Sequence, residues 1–251
     1  MKKILITGII FLIIFLIYLS NIDKKIYYLA LGDSIAYGED CNGKKTKGYS
    51  GYVKDYLSQK NILEKYVNNF ATKGERINDL KNKIKTNVKT NQNGKQITIQ
   101  NALIKADFIT ISIGANDILT KINQNKKINY DKLYEYVDSA ANELDELIKL
   151  LKEYCKEDII FIGYYNPYQD EELSHIIEYL NKKYKETCNN NNVTYIETIK
   201  AFKNKSNYLC TSKNIHPSTL GYKAISNKII RILNKRTLKT VNNLGKCLKK
   251  F

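Results

Sequence analysis

The chain reads as an α/β protein: a three-layer α/β/α sandwich around a mainly parallel sheet of five strands. Three observations carry that expectation. Strand-like and helix-like segments alternate along the chain, which favours parallel strands joined by helical crossovers. Two runs, Phe108-Ile109-Thr110-Ile111-Ser112-Ile113 and Ile159-Ile160-Phe161-Ile162-Gly163-Tyr164, carry no charge, as strands covered on both faces require. And the first such run, Ile26-Tyr27-Tyr28-Leu29-Ala30, passes directly into Leu31-Gly32-Asp33-Ser34, a turn at the carboxyl end of a strand, where open α/β sheets bind their ligands.

The elements follow in order. A strand is expected at about 26–32, then a polar loop from Glu39 to Lys47 and a helix from about Tyr49 to Lys60. A short strand near Tyr66–Phe70 leads to a helix across Ile77–Val88. The polar stretch from Thr90 to Gln100 reads as a hairpin, with Asn93-Gly94 as its turn. A strand at 107–113 follows. From Tyr130 to Tyr154, apolar residues at Leu133, Val137, Ala140, Ala141, Leu144, Leu147, Ile148 and Leu151 recur at spacings of three and four and make one helical face. Next come a strand at 159–164, a loop with Asn166-Pro167, a helix near Glu171–Cys188 ending in the run Asn189–Asn192, a strand at Val193–Ile196 and a helix over Thr219–Leu233 entered through Pro217-Ser218.

Length and charge bound the rest. The 251 residues fit one domain (24–235) between an apolar leader (1–23) and a basic tail (236–251) that is a helical extension or a frayed end. The 41 Lys+Arg against 25 Asp+Glu give a formal net charge of +16, but the lysines are scattered over amphipathic segments, and no nucleic-acid-binding motif accompanies them. No nucleic-acid partner is expected. Ile4 to Leu19 is almost unbroken in its apolarity behind Lys2 and Lys3, and no Ala-x-Ala cleavage site follows. That pattern favours an uncleaved signal anchor with its amino terminus inside, or else a cleaved signal peptide. The domain is expected outside the cell either way, on the membrane or secreted.

Five cysteines, at 41, 155, 188, 210 and 247, show no Cys-x-x-Cys spacing and so no zinc or redox motif. They read as free thiols, with a Cys41–Cys210 disulfide as the alternative, since both are placed in loops on the edge that carries Ser34.

A serine hydroxyl becomes a nucleophile only with a base to take its proton and donors for the developing oxyanion. Of the two histidines, His175 falls inside a helical segment and reads as a surface or interfacial residue. His216, on a loop before Pro217, suits a positioned base. The blocks Leu29-Ala30-Leu31-Gly32-Asp33-Ser34-Ile35-Ala36-Tyr37-Gly38, Ala71-Thr72-Lys73-Gly74-Glu75-Arg76, Gly114-Ala115-Asn116-Asp117 and Ile215-His216-Pro217-Ser218 occur in that order. In them the chain resembles the SGNH or GDSL hydrolase family, over about Tyr27 to Leu233.

The resemblance implies a flavodoxin-like sandwich and a serine esterase of the lipase or acyl-hydrolase kind. Ser34 would be the nucleophile and His216 the base. The oxyanion hole would be the N–H of Ser34, the N–H of Gly74 and the side-chain amide of Asn116, with no metal or organic cofactor. Asp33 and Asp117 read as loop-holding rather than acid–base groups. One position departs from the family: its aspartate three residues before the histidine is Lys213 here, and Asn214 follows. His216 then leans on Asn214, on a backbone carbonyl, or on a carboxylate from elsewhere, or activity is lost. The competing reading is a membrane-anchored, non-catalytic protein that holds cell-wall glycan. For an enzyme, the substrate would be a lipid, a short-chain ester or an O-acetylated glycan. The loops Glu39–Lys47, Thr90–Gln100 and Asn166–Tyr168 are expected to border the pocket, and their polarity argues against a deep lipid tunnel.

Overall fold

The structure, a computed structural model, describes residue 8 and residues 25–92, 94–124, 129–167, 171–211 and 214–248, with side chains described except at 122–124, 211 and 236–248. Apart from Gly8, the expected anchor segment lies outside the described residues, as do Asn93, Tyr168 and Lys213. Among the described residues, no helix is long and apolar enough to cross a membrane.

Five strands form one all-parallel sheet: β1 (Ile26–Gly32), β2 (Leu63–Val67), β5 (Phe108–Ser112), β6 (Asp158–Ile162) and β7 (Thr194–Ile196), in the order β2-β1-β5-β6-β7. Alternation along β1 divides the core. Tyr27, Leu29 and Leu31 face one cluster and Tyr28 and Ala30 the other, as a period of two demands. On the first side pack α3 (Ile77–Lys85), α4 (Ile99–Lys105), α6 (Tyr130–Tyr154) and α7 (Glu171–Asn190). On the second lie α1 (Ser34–Tyr37), α2 (Gly48–Gln59) and α9 (Thr219–Leu248), the last through Tyr222, Ile225 and Ile229. All eight apolar positions expected on the face of α6 are buried.

Several boundaries differ from expectation for identifiable reasons. β2 starts three residues earlier than expected because its pairing with β1 begins at Ile26–Leu63; it is an edge strand whose Glu64 and Lys65 break the apolar signal. Helix α3 stops before Val88, where Asn87 takes φ +50°. The hairpin is β3 (Lys89–Gln92) and β4 (Lys95–Thr98), paired antiparallel. Helix α4 was not expected; Thr98 caps it by accepting from Asn101 N–H, and Ile99, Ala102 and Leu103 form its buried face. Also unexpected are α5 (Ala115–Gln124), the short α8 (Ile199–Phe202) and an antiparallel pair, β8 (Leu209–Thr211) and β9 (Asn214–Pro217). His216 therefore stands on a strand and not on a loop. Helix α9 continues through the expected tail to Leu248.

Candidate active site

Strand β1 ends by force of its neighbour. Gly32 has φ +118°, with Ser112 opposite it in register, and the next residue turns into α1. Asp33 caps that helix by accepting from Ile35 N–H at 3.0 Å, and it also accepts from the Ser112 hydroxyl at 3.2 Å and the Tyr164 hydroxyl at 3.4 Å. Burial raises its carboxyl to about 7, those hydrogen bonds notwithstanding. It is thus a structural cap, as expected. Asp117 likewise holds the start of α3 by accepting from Ile77 N–H, and burial raises it to about 6.

Ser34, nearly buried at the start of α1, has its Oγ 2.9 Å from His216 Nε2. On the other side of the ring, Nδ1 lies 3.0 Å from Asn214 Oδ1. The amide orientation is over-determined. Asn214 Oδ1 also accepts from His216 N–H at 2.9 Å, while Asn214 Nδ2 donates to the Cys41 carbonyl at 3.0 Å. Reversing the amide would set its NH₂ against a backbone donor and its oxygen against a carbonyl. Nδ1 must therefore carry the proton, which leaves the Nε2 lone pair facing the Ser34 hydroxyl. Of the partners left open in the sequence, Asn214 is the one that Nδ1 contacts. Burial holds His216 below the usual histidine value, partly offset by the Glu39 carboxylate.

The other expected residues converge on the same edge. Thr72 N–H donates to the Gly32 carbonyl at 2.9 Å, tying the loop of Gly74 to the serine turn. Gly74 has φ +70°, and a Cβ there would meet nothing within 4 Å, so the loop needs glycine for its turn and leaves open space beside it. Asn116, on the first turn of α5, donates one amide hydrogen to the Glu75 carbonyl at 3.0 Å and keeps a second donor. His175 is exposed on α7 and does not line the cavity beside Ser34.

Cys41 and Cys210 form a disulfide, so the free-thiol reading holds only for the buried Cys155 and Cys188; the side chain of Cys247 is not described. The bond joins the loop after α1 to β8, the partner of the strand that carries Asn214 and His216. It closes a separation of 169 residues, which in a chain-entropy account is worth up to about 5 kcal/mol. Opening it with a thiol reductant, with thiol titration proving the bond open, is expected to lower Tm by several degrees. It should also slow any turnover several-fold, as the Asn214–Cys41 contact loosens. An unchanged Tm would show that the bond does not hold this edge together.

Beside Ser34 lies a cavity of about 90 Å³ whose walls include Ile35 and Ile215, Ile118 and Leu119 of α5, and Leu173, Ile176, Ile177 and Leu180 of α7. Asn116 also lines it. Of the loops expected to border it, only the one with Pro167 does; the Thr90–Gln100 hairpin and Glu39–Lys47 contribute no wall. The wall is apolar because two helix faces meet there, which the polarity of the neighbouring loops hides in the sequence.

An all-parallel five-stranded sheet between helical layers, with the serine turn at the carboxyl end of β1, is the SGNH-hydrolase architecture. The family description GDSL-like lipase/acylhydrolase matches residues 28–229, and the chain belongs to that family. The chain is similar to the uncharacterized protein YpmR of Bacillus subtilis (strain 168), at 26% identity over 240 residues, 86% of this chain and 84% of that protein. Among solved structures it is similar to the lipase Lip_vut3 from a goat rumen metagenome, with a TM-score of 0.66 at 22% identity, covering 81% of this chain and 95% of that one. It is also similar to Axe2, an acetylxylan esterase from Geobacillus stearothermophilus, with a TM-score of 0.59 at 21% identity, covering 81% and 92%. At these identities the two structures establish the fold.

Proposed function

We propose that the protein is an exported serine esterase for short-chain acyl esters. The observation that carries this reading is the relay Ser34 Oγ–His216 Nε2 at 2.9 Å with Nδ1 on Asn214 at 3.0 Å. Ser34 Oγ attacks the ester carbonyl as His216 Nε2 takes its proton. The oxyanion is met by the N–H groups of Ser34 and Gly74 and by Asn116 Nδ2. The imidazolium passes its proton to the leaving alcohol oxygen. A water molecule, deprotonated by the same nitrogen, then attacks the acyl-enzyme carbonyl, and the imidazolium returns that proton to Ser34 Oγ as the acyl–Oγ bond breaks and the acid leaves. Asn214 plays the third part through an amide oxygen, which orients the ring without charge, as amides do in Cys-His-Asn sites.

The acyl group enters the cavity beside Ser34. Its volume of about 90 Å³ and its apolar walls suit an acyl chain of a few carbons. The apolar leader and the Cys41–Cys210 disulfide support export, since disulfides persist in oxidising compartments. The leader anchors the domain to the outer side of the membrane.

The test is hydrolysis of p-nitrophenyl acetate, butyrate, octanoate and palmitate by residues 24–251. Acetate and butyrate are expected to exceed octanoate by about tenfold or more in kcat/KM, because forcing extra methylenes into a filled apolar site costs about 1–3 kcal/mol. Preference for octanoate or palmitate would refute the short-chain assignment. Absence of turnover and of fluorophosphonate labelling in a folded sample would refute the esterase.

A further inference from the structure

With Lys213 where the family has its aspartate and the neutral amide of Asn214 at Nδ1, a question of charge is left. When His216 takes the proton of Ser34 it becomes a cation, half-buried, with no carboxylate at Nδ1. A carboxylate does stand nearby, on the opposite edge of the ring. Glu39 Oε2 lies 3.6 Å from His216 Nε2, and both side chains are largely shielded, at 13% and 16% exposure. We propose that Glu39, held by Lys73, is the positioning carboxylate that stabilises the His216 imidazolium in place of the missing aspartate. This rests on the Ser34–His216 reading of the site.

The geometry separates this role from a structural one. The backbone of Glu39 is secured without its side chain: its N–H donates to the Ser34 carbonyl at 2.9 Å, and its carbonyl accepts from the Tyr222 hydroxyl at 2.7 Å. The carboxylate is free to be aimed, and it is. Oε1 pairs with Lys73 Nζ at 3.2 Å, which turns Oε2 towards the ring. Lys73 is itself fixed, donating to the Gly43 carbonyl and standing 5.6 Å over the Tyr37 ring. At 3.6 Å, Oε2 is too far to take the proton as a hydrogen-bond acceptor, so Nε2–H stays available to the leaving group while the field of the carboxylate acts on it.

The other charges facing the ring do less. Asp40 bends into its own turn, accepting from the N–H groups of Asn42 and Lys44 at 2.8 Å each. Asp33 lies buried below Ser34 with its own partners. Glu39 acts to raise the His216 titration, whereas Lys73 and burial lower it. The sign follows: removing the carboxylate drives the midpoint down, and removing the lysine drives it up.

The experiment is an NMR titration of the His216 ring in the folded domain, beside the pH profile of kcat/KM for p-nitrophenyl butyrate. In Glu39→Gln the His216 midpoint and the acid limb of the profile should both move down, with kcat about tenfold lower. Adding Asn214→Asp to that variant, which places a carboxylate at Nδ1, should move both back up and recover most of kcat. Lys73→Met should shift the midpoint upward. An unmoved His216 midpoint in folded Glu39→Gln overturns the proposal; should that variant not fold, an unmoved midpoint in Lys73→Met does so. If the wild-type domain hydrolyses no ester, the titration still decides on Glu39, while the esterase reading falls separately.

Discussion

Ser34→Ala is expected to lower kcat on p-nitrophenyl butyrate by about 10⁴-fold or more and to abolish fluorophosphonate labelling, with Tm changed by no more than a degree or two. The large kinetic effect follows from chemistry: without Oγ no acyl-enzyme forms, and the residual rate is what oriented water can achieve in the same site. The small thermal effect follows from packing. Among the described residues, Ser34 Oγ has its side-chain hydrogen bond with His216 Nε2, and the turn that presents it is held by Asp33, Gly32 and Thr72. His216→Ala should be nearly as severe. The two losses should not add, because serine and histidine act as one unit. A Ser34→Ala protein retaining a tenth of the wild-type rate would remove Ser34 from the nucleophile's role.

Parts of this site were readable from the sequence because each is tied to a local signal. The charge-free strands announce themselves, since burial on both faces forbids charge. Ser34 and Asn116 follow the ends of β1 and β5, while Gly74 and His216 were marked by their sequence blocks alone. The hairpin was legible from its Asn-Gly turn. What escaped reading depends on contacts between distant segments. Asn214-Ile215-His216-Pro217 is too short for its alternation to mark a strand, and its pairing with β8 was not apparent from the residues. Helix α5 was hidden because Asn116-Asp117, read as a motif on a loop, is its first turn. Glu39 looked like the beginning of a polar loop, and only the fold brings its carboxylate to a ring 177 positions further on (216 − 39). The cavity wall was equally silent, being made of one face each of α5 and α7.

Gly32→Ala is expected to be the most damaging glycine-to-alanine change among the described residues, through folding and not through chemistry. A Cβ at Gly32 would stand 1.9 Å from the Ser112 carbonyl oxygen and 2.8 Å from its carbon, at φ +118°. The obstacle is main chain of the adjoining strand. That oxygen already accepts from Asp33 N–H at 2.8 Å, and the Gly32 carbonyl accepts from Thr72 N–H at 2.9 Å. Relief would require prising β1 from β5 where the serine turn and the Gly74 loop are fastened. The cost should exceed about 4 kcal/mol, enough to lower Tm by about 10 °C or to leave no soluble domain. Gly74→Ala makes the informative contrast. Its φ of +70° costs an alanine about 1 kcal/mol, but nothing stands within 4 Å of the new methyl, so the domain should fold with Tm a few degrees lower. Calorimetry on the pair checks both. Equal thermal losses would mean that the close approach of β1 to Ser112, and with it the strand-end origin of the Ser34 turn, is wrong.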